Sequence, residues 1–232
     1  MKTITILALG HLAFSPLACA AGQGDLIRLY EEEILAHDLY VALGREHPDI
    51  MPLRNIPRSE LMHRDALAVI LKSEGIKLPS PARGRRFVSE GLDETFVKWL
   101  AEGKKSARDA CRVGVRLEDF DIVDLRKAQT DFPAHKEVLG QLEAASNNHL
   151  RAFHRNLTAR DGEYTPEALS ADDLKAILNG SGDGGPGCGG SCGSACSGPC
   201  GNTCGGKQGK GGGGQGRGKG RGATTPPAAK SK

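Results

Sequence analysis

Glu60 and His63 stand three residues apart in SELMHRDALAVIL (59–71), on the helical face that also carries Ile56, Leu67 and Ile70. Burying that face takes an acid and an imidazole into an apolar interior, and a buried charge is costly unless something pairs with it. Three other segments repeat the pattern. Leu26, Tyr30, Glu33, His37 and Tyr40 step by three or four, as do Cys111, Gly114, Glu118, Asp121 and Leu125, and Leu142, Ser146, His149 and Phe153. Each apolar stripe is interrupted near its middle by polar groups, most of them of metal-ligand type. Glu33 and Glu60 lie 27 residues apart, and Glu118 and Ser146 lie 28 apart, so two similar helical hairpins would set these groups at similar depth. A pair of divalent cations is the acceptor that this chemistry suggests, because it would neutralise four carboxylates and leave the imidazoles as neutral ligands. Residues three apart on a helix are neighbours, so the glutamate and histidine of E-x-x-H can converge on one ion. Single glutamates from two helices with E-x-x-H from two others form the ligand set of di-iron and di-manganese carboxylate bundles. Mixed carboxylate and imidazole donors suit iron or manganese without any thiolate.

The elements that must carry these residues are helical. Apolar residues recur at three- and four-residue steps, and β-type alternation is scarce. The pattern predicts helix A from Asp25 to about Glu46, stopped by HPDIMP, and helix B from about Asn55 to Gly75 with Pro57 in its first turn. A long connection, IKLPSPARGRRFVSEG, leads to a shorter helix around LDETFVKWLAEG. Helix C starts at Ser106, with Asp109 three residues on, and runs to about Ala128. Helix D spans about Pro133 to Ala159, and a last short helix follows Ser170. Short A–B and C–D links with a long B–C crossover are the connectivity of an all-α, ferritin-like four-helix bundle.

Residues 25–178 resemble a bacterial ferritin-like family known as domain of unknown function 2202, through EEEILAHDLY, SELMHRDA, LEDFDIVDL and NNHLRAF in that order. The helix A spacing Glu33, Ala36, Tyr40 is also similar to the corresponding helix of rubrerythrins, within the same di-iron superfamily. The resemblance implies Glu33, Glu60, His63, Glu118 and His149 as ligands of two iron ions, or two manganese ions. It also implies oxidation of ferrous iron or reduction of peroxide or oxygen. Helix D departs from the wider ferritin-like pattern, since Ser146 stands where a second E-x-x-H would have its glutamate. Asp121, one turn beyond Glu118, is the expected replacement carboxylate. Glu31-Glu32-Glu33 is ambiguous by itself, and the choice of Glu33 rests on the stripe and the resemblance together. His37 is expected behind a ligand or at the surface, His135 and His154 at the surface, and Tyr30, Tyr40 and Cys111 in the core.

The two ends of the chain are different in kind. Residues 1–20 read as a signal peptide: Lys2, an apolar run to Phe14, and a small-residue cleavage site at Ala18-Cys19-Ala20. Lipidation at Cys19 is the weaker reading, because Pro16 occupies the position where such signals usually carry leucine. The protein is therefore expected to be exported, periplasmic or extracellular. That assigns residues 21–180 to the bundle and 181–232 to a Gly/Cys-rich basic tail too poor in apolar residues to fold by itself. Beyond Asp183 the tail has seven Lys and Arg and no acid, whereas residues 3–183 carry −5, which is not the profile of a nucleic-acid-binding domain. Cys188, Cys192, Cys196, Cys200 and Cys204 recur every fourth residue, unlike the C-x-x-C pairs of a zinc ribbon. They leave open disulfides or capture of a soft ion. The basic end could lie on an anionic envelope surface. A second function class follows: a non-enzymatic metal-binding or envelope interaction protein acting through the tail, with the bundle as scaffold. The expected partners are otherwise metal ions and oxygen or peroxide, and a homodimer is left open.

Overall fold

A computed structural model describes residues 16–180, with side chains from Gly22 onward. The N-terminal apolar run, expected to be a signal peptide, and the Gly/Cys-rich tail, including Cys188 to Cys204, lie outside the described residues. So does the second of the two compact units into which the chain divides, Ala195–Lys232. The described part is all-helical: α1 (Pro16–Glu46), α2 (Met51–Asn55), α3 (Pro57–Ser73), α4 (Leu92–Gly103), α5 (Ala107–Asp131), a 3-10 turn (Pro133–His135), α6 (Lys136–Thr158) and α7 (Ala171–Asn179).

Caps and breakers account for most boundaries. The Ser106 hydroxyl accepts from Asp109 N at 3.0 Å and donates to its carboxylate at 2.6 Å, and Ser170 caps α7 onto Asp173 in the same way. Gly75, at φ +71°, ends α3 in the left-handed conformation that lets Ile76 N reach back to Leu71 O. Three boundaries differ from the sequence reading. α1 starts at Pro16 rather than Asp25, since proline suits the first helical position and the alanines after it propagate the helix. HPDIMP does end α1, but its Pro52 then sits in the first turn of α2, a five-residue helix the pattern did not predict. Pro133 opens a 3-10 turn, and α6 begins three residues later.

Ion pairs at the helix ends fix the directions. Asp25 at the start of the packed part of α1 meets Lys127 near the end of α5, and Tyr40 meets Glu118 one layer further in, so α1 and α5 are antiparallel. Arg160 beyond α6 pairs with Asp49 beyond α1, and His135 before α6 pairs with Glu74 after α3, so α6 runs with α1 and against α3. α3 and α5 are therefore parallel, and the chain between them must travel the length of the molecule. That is the role of residues 74–106. Phe87 is buried in the core, the Glu31 carboxylate accepts from Val88 N at 2.7 Å and Ser89 N at 2.8 Å, and α4 packs over α1 and α5.

The interior is apolar at both ends and polar between. Leu26, Leu29, Leu67, Ile70, Leu125, Leu139 and Leu142 form one cluster, while Leu39, Leu43, Val113, Leu150, Phe153 and Leu157 belong to the other. Gly114 lets α5 and α6 approach: a Cβ there would fall 2.4 Å from the Phe153 ring. On each long helix the predicted polar interruption falls between the residues of these two clusters.

Candidate metal centre

Burial fixes the chemistry of the polar layer. Glu33 on α1, Glu60 and His63 on α3, Glu118 and Asp121 on α5, and His149 on α6 are each between 1% and 9% exposed. Groups so buried must satisfy one another or hold something. Two sets converge, Glu33 with Glu60 and His63, and Glu60 with Glu118 and His149, each offering ligand atoms within 4.8 Å of one another. Glu60 belongs to both. Its Oε2 lies 3.1 Å from His63 Nδ1, and its Oε1 lies 3.1 Å from His149 Nδ1. Glu33 Oε2 stands 3.4 Å from His63 Nδ1 and Glu118 Oε2 stands 3.6 Å from His149 Nδ1. The two imidazoles lie nearly parallel with centroids 5.5 Å apart. E-x-x-H on α3 thus supplies one carboxylate shared between two halves of a single centre.

The contacts are close but not good hydrogen bonds. His63 Nδ1, His149 Nδ1, Glu60 Oε1 and Glu33 Oε1 are buried without a hydrogen-bond partner, and orphaned buried polar atoms of this kind are rare in folded proteins. Buried donor atoms gathered this closely, in geometries too poor for hydrogen bonds, fit cations better than they fit one another. Three carboxylates and two imidazoles, with no thiolate, are hard and borderline donors. The donor set and the orphaned atoms agree.

Proton affinities show the same strain. Burial, with Glu60 and Glu118 nearby, pushes Glu33 up from 4.5 to about 7, and His63 only partly offsets it. Burial also raises Glu118, beside Glu60. Burial alone would raise Glu60 as well, but His149 and His63 hold it below the usual carboxylate range. Burial opposes charge on His149, yet Glu60 and Glu118 lift it to about 10; Glu33 and Glu60 raise His63 likewise. Without a metal, protons on the histidines balance the glutamates.

Neighbouring groups position the centre. Tyr40 OH donates to Glu118 Oε1 at 2.6 Å and packs against Phe153 at 4.8 Å between centroids, which leaves Oε2 of Glu118 turned to His149. Asp121 is buried beside these residues but belongs to neither three-residue set. Burial, followed by Glu33 and Glu118, raises it well above the ordinary carboxylate range, while Ser146 partly offsets this. Ser146 is fully buried and donates to Leu142 O at 3.1 Å. His37 pairs with Asp38 at 3.0 Å, half-buried and outside both sets. Tyr30 packs partly buried against the apolar cluster at the Asp25 end, and Cys111 is fully buried, its thiol pushed up to about 11 by burial.

The structure also separates the three consecutive glutamates. Glu31 holds the crossover, Glu32 pairs with Arg28 and lines a cavity with Asp124, and Glu33 faces the centre. Asp119 had no role in the sequence reading. It is fully buried and accepts from Glu167 N, Ala168 N and Leu169 N, and from Tyr164 OH at 2.7 Å, which fastens the loop before α7. Its partners lie in an aperiodic loop, so periodicity carried no signal for it.

Fold and site together define an all-helical protein with two buried, Glu60-sharing Glu/His groups that could hold metal ions. Residues 23–181 match the family described as an uncharacterized protein domain, DUF2202, and the chain belongs to it. It is 35% identical over 165 residues to uncharacterized protein MJ0754 of Methanocaldococcus jannaschii, a match spanning 69% of this chain and 88% of that one. A crystal structure of the hypothetical protein MJ0754 from Methanococcus jannaschii superposes with a TM-score of 0.64 at 31% identity, over 78% of this chain and all of that chain.

Proposed function

We propose that the chain is a ferritin-like four-helix bundle carrying a two-metal carboxylate centre, with iron as the working ion and manganese as the alternative. Glu33 and His63 would hold one ion and Glu118 and His149 the other, with Glu60 available to both. A pair of bound ferrous ions would supply two electrons to oxygen or peroxide. In this reading the substrate is ferrous iron itself or a peroxide, and the protein works outside the cytoplasm, as its leader suggests. The observation that carries it is Glu60, whose two oxygens each lie 3.1 Å from a different histidine. The long crossover between parallel α3 and α5 supports the bundle type.

The chain's own groups have defined tasks. Glu60 fixes the spacing of the two halves. Tyr40 occupies one oxygen of Glu118 and so orients the other. Asp121 supplies a further carboxyl beside Glu33 and Glu118, where Ser146 has no acid to offer, and the apolar clusters above and below keep bulk water from the carboxylates. His149 is the most exposed of the ligands, at 9%.

Elemental analysis of the full chain beside Glu60→Ala and a chain ending at residue 180 tests the reading. The expected result is about two iron or manganese ions per chain, retained without the tail and lost in Glu60→Ala, with ferrous oxidation or peroxide consumption following the metal. Ions lost with the tail but kept in Glu60→Ala would sink it and favour a tail-based binder.

A further inference from the structure

The seam between α1 and α5 is acidic where antiparallel helices ordinarily pack apolar side chains. Its register reads off three contacts: Tyr40 with Glu118 at 2.6 Å, Glu32 and Asp124 lining one cavity, and Asp25 with Lys127 at 2.5 Å. Between the first two rungs lie Glu33 and Asp121, near neighbours in charge. On α5 the acids 118, 121 and 124 recur at every third residue, along one face. The row thus descends from the two-metal centre to the exposed end of the molecule.

A cavity of about 40 Å³ opens at that end, lined by Asp25, Arg28, Leu29, Glu32, Asp124 and Lys127. It exceeds the roughly 10–15 Å³ that one water needs. Two unpartnered buried oxygens lie along the row: Glu32 Oε2 at the cavity, and Oε1 of Glu33, itself only 2% exposed, at the inner end. Arg28 pairs with Glu32 at 2.9 Å, and Lys127 pairs with Asp25 and Asp131. Both cationic side chains are about half-exposed, and Arg28 also donates to Glu90 O at 3.1 Å; turning either outward would release the acids it neutralises.

We infer that this acidic α1–α5 seam is the path by which a divalent cation enters the centre, with Asp25 at the mouth and the Glu32–Asp124 pair as the throat. The path rests on the two-metal reading above. A ladder of acids between apolar walls focuses cations and raises their rate of arrival. Arg28 and Lys127 stand in for the cation when the path is empty. Glu32 and Asp124 act as transit groups and take no share in the final ligand set.

Stopped-flow uptake of Co²⁺ by the full chain, followed by its visible absorption and paired with equilibrium stoichiometry, tests the path. Glu32→Gln and Asp124→Asn should load about tenfold more slowly, the lower end of what such focusing provides, with unchanged final stoichiometry. Arg28→Gln, at a half-exposed site, should load faster while its helical circular dichroism is retained. Unchanged rates in all three variants overturn the path. Loss of an ion at equilibrium in Glu32→Gln also overturns it, because the residue would then be a ligand. If the unaltered chain takes up no Co²⁺, the two-metal reading fails first and the path with it.

Discussion

Glu60 is the residue on which the centre turns, because its carboxylate is the one group shared by both histidines. Removing it should therefore cost more than removing either imidazole. His63→Ala and His149→Ala are expected to lose one ion each, and Glu60→Gln both, as read by isothermal titration with Mn²⁺; equal losses in all three would contradict the shared-carboxylate geometry. Tyr40→Phe tests a different point. It strips Glu118 Oε1 of its buried donor, and a hydrogen bond to a charged group contributes about 1.5–3 kcal/mol. Urea unfolding of the metal-free variant should show a loss in that range, while an unchanged midpoint would mean that Glu118 finds another donor. At this scale the sequence was readable wherever a polar residue interrupted an apolar stripe. It could not tell Glu31, Glu32 and Glu33 apart, since consecutive helical residues point about 100° from one another and each found a different partner. Asp121 was legible as a buried acid on the right face. Its place outside both three-residue sets depends on the packing of the four helices and was not.

Among the elements, the crossover has the most to do, because parallel α3 and α5 can be joined only by chain that runs back along the molecule. Glu31 fastens it by taking two backbone amides at once. Glu31→Ala leaves Val88 N and Ser89 N without that acceptor, at about 1–3 kcal/mol. Amide hydrogen exchange at Val88 and Ser89 should accelerate by more than that of the α5 core; protection retained at both positions would show that Phe87 alone holds the segment. Gly114 is the second element-scale contact. Alanine there places a methyl against the Phe153 ring, and overpacking of this kind costs about 1–3 kcal/mol, visible as a lower unfolding midpoint. Helices were legible through their caps and periodicity, and the long B–C link announced the parallel pair. α2 was not, because five residues hold too little periodicity to oppose two prolines. The backward extension of α1 to Pro16 was hidden by small residues that serve a leader and a helix equally well.

For the whole molecule, the proposed metal centre would make stability and metal loading one equilibrium seen from two sides. In the metal-free chain burial raises Glu33 from 4.5 to about 7 and, more than its neighbour Asp124 does, raises Glu32 from 4.5 to about 8. Against the opposing effect of burial, Glu60 and Glu118 raise His149 from 6.5 to about 10. In each case the folded state binds more protons than the unfolded chain between the two values, so its stability falls as pH rises through them. The carboxyl contribution is complete below 4.5 and lost by about 8; the histidine contribution is complete below 6.5 and lost as pH approaches 10. Glu60 works the other way, being held low, and its share is lost only in acid. Metal binding displaces the same protons, so its stabilisation should grow over the range in which the empty chain weakens. Thermal unfolding followed by circular dichroism, from about pH 5 to about pH 9, with and without Mn²⁺, should show the metal-free midpoint falling and the gap between the two curves widening. A metal-free midpoint that climbs with pH would mean that the polar layer is held by ionised pairs alone, and that no cation is needed to complete it.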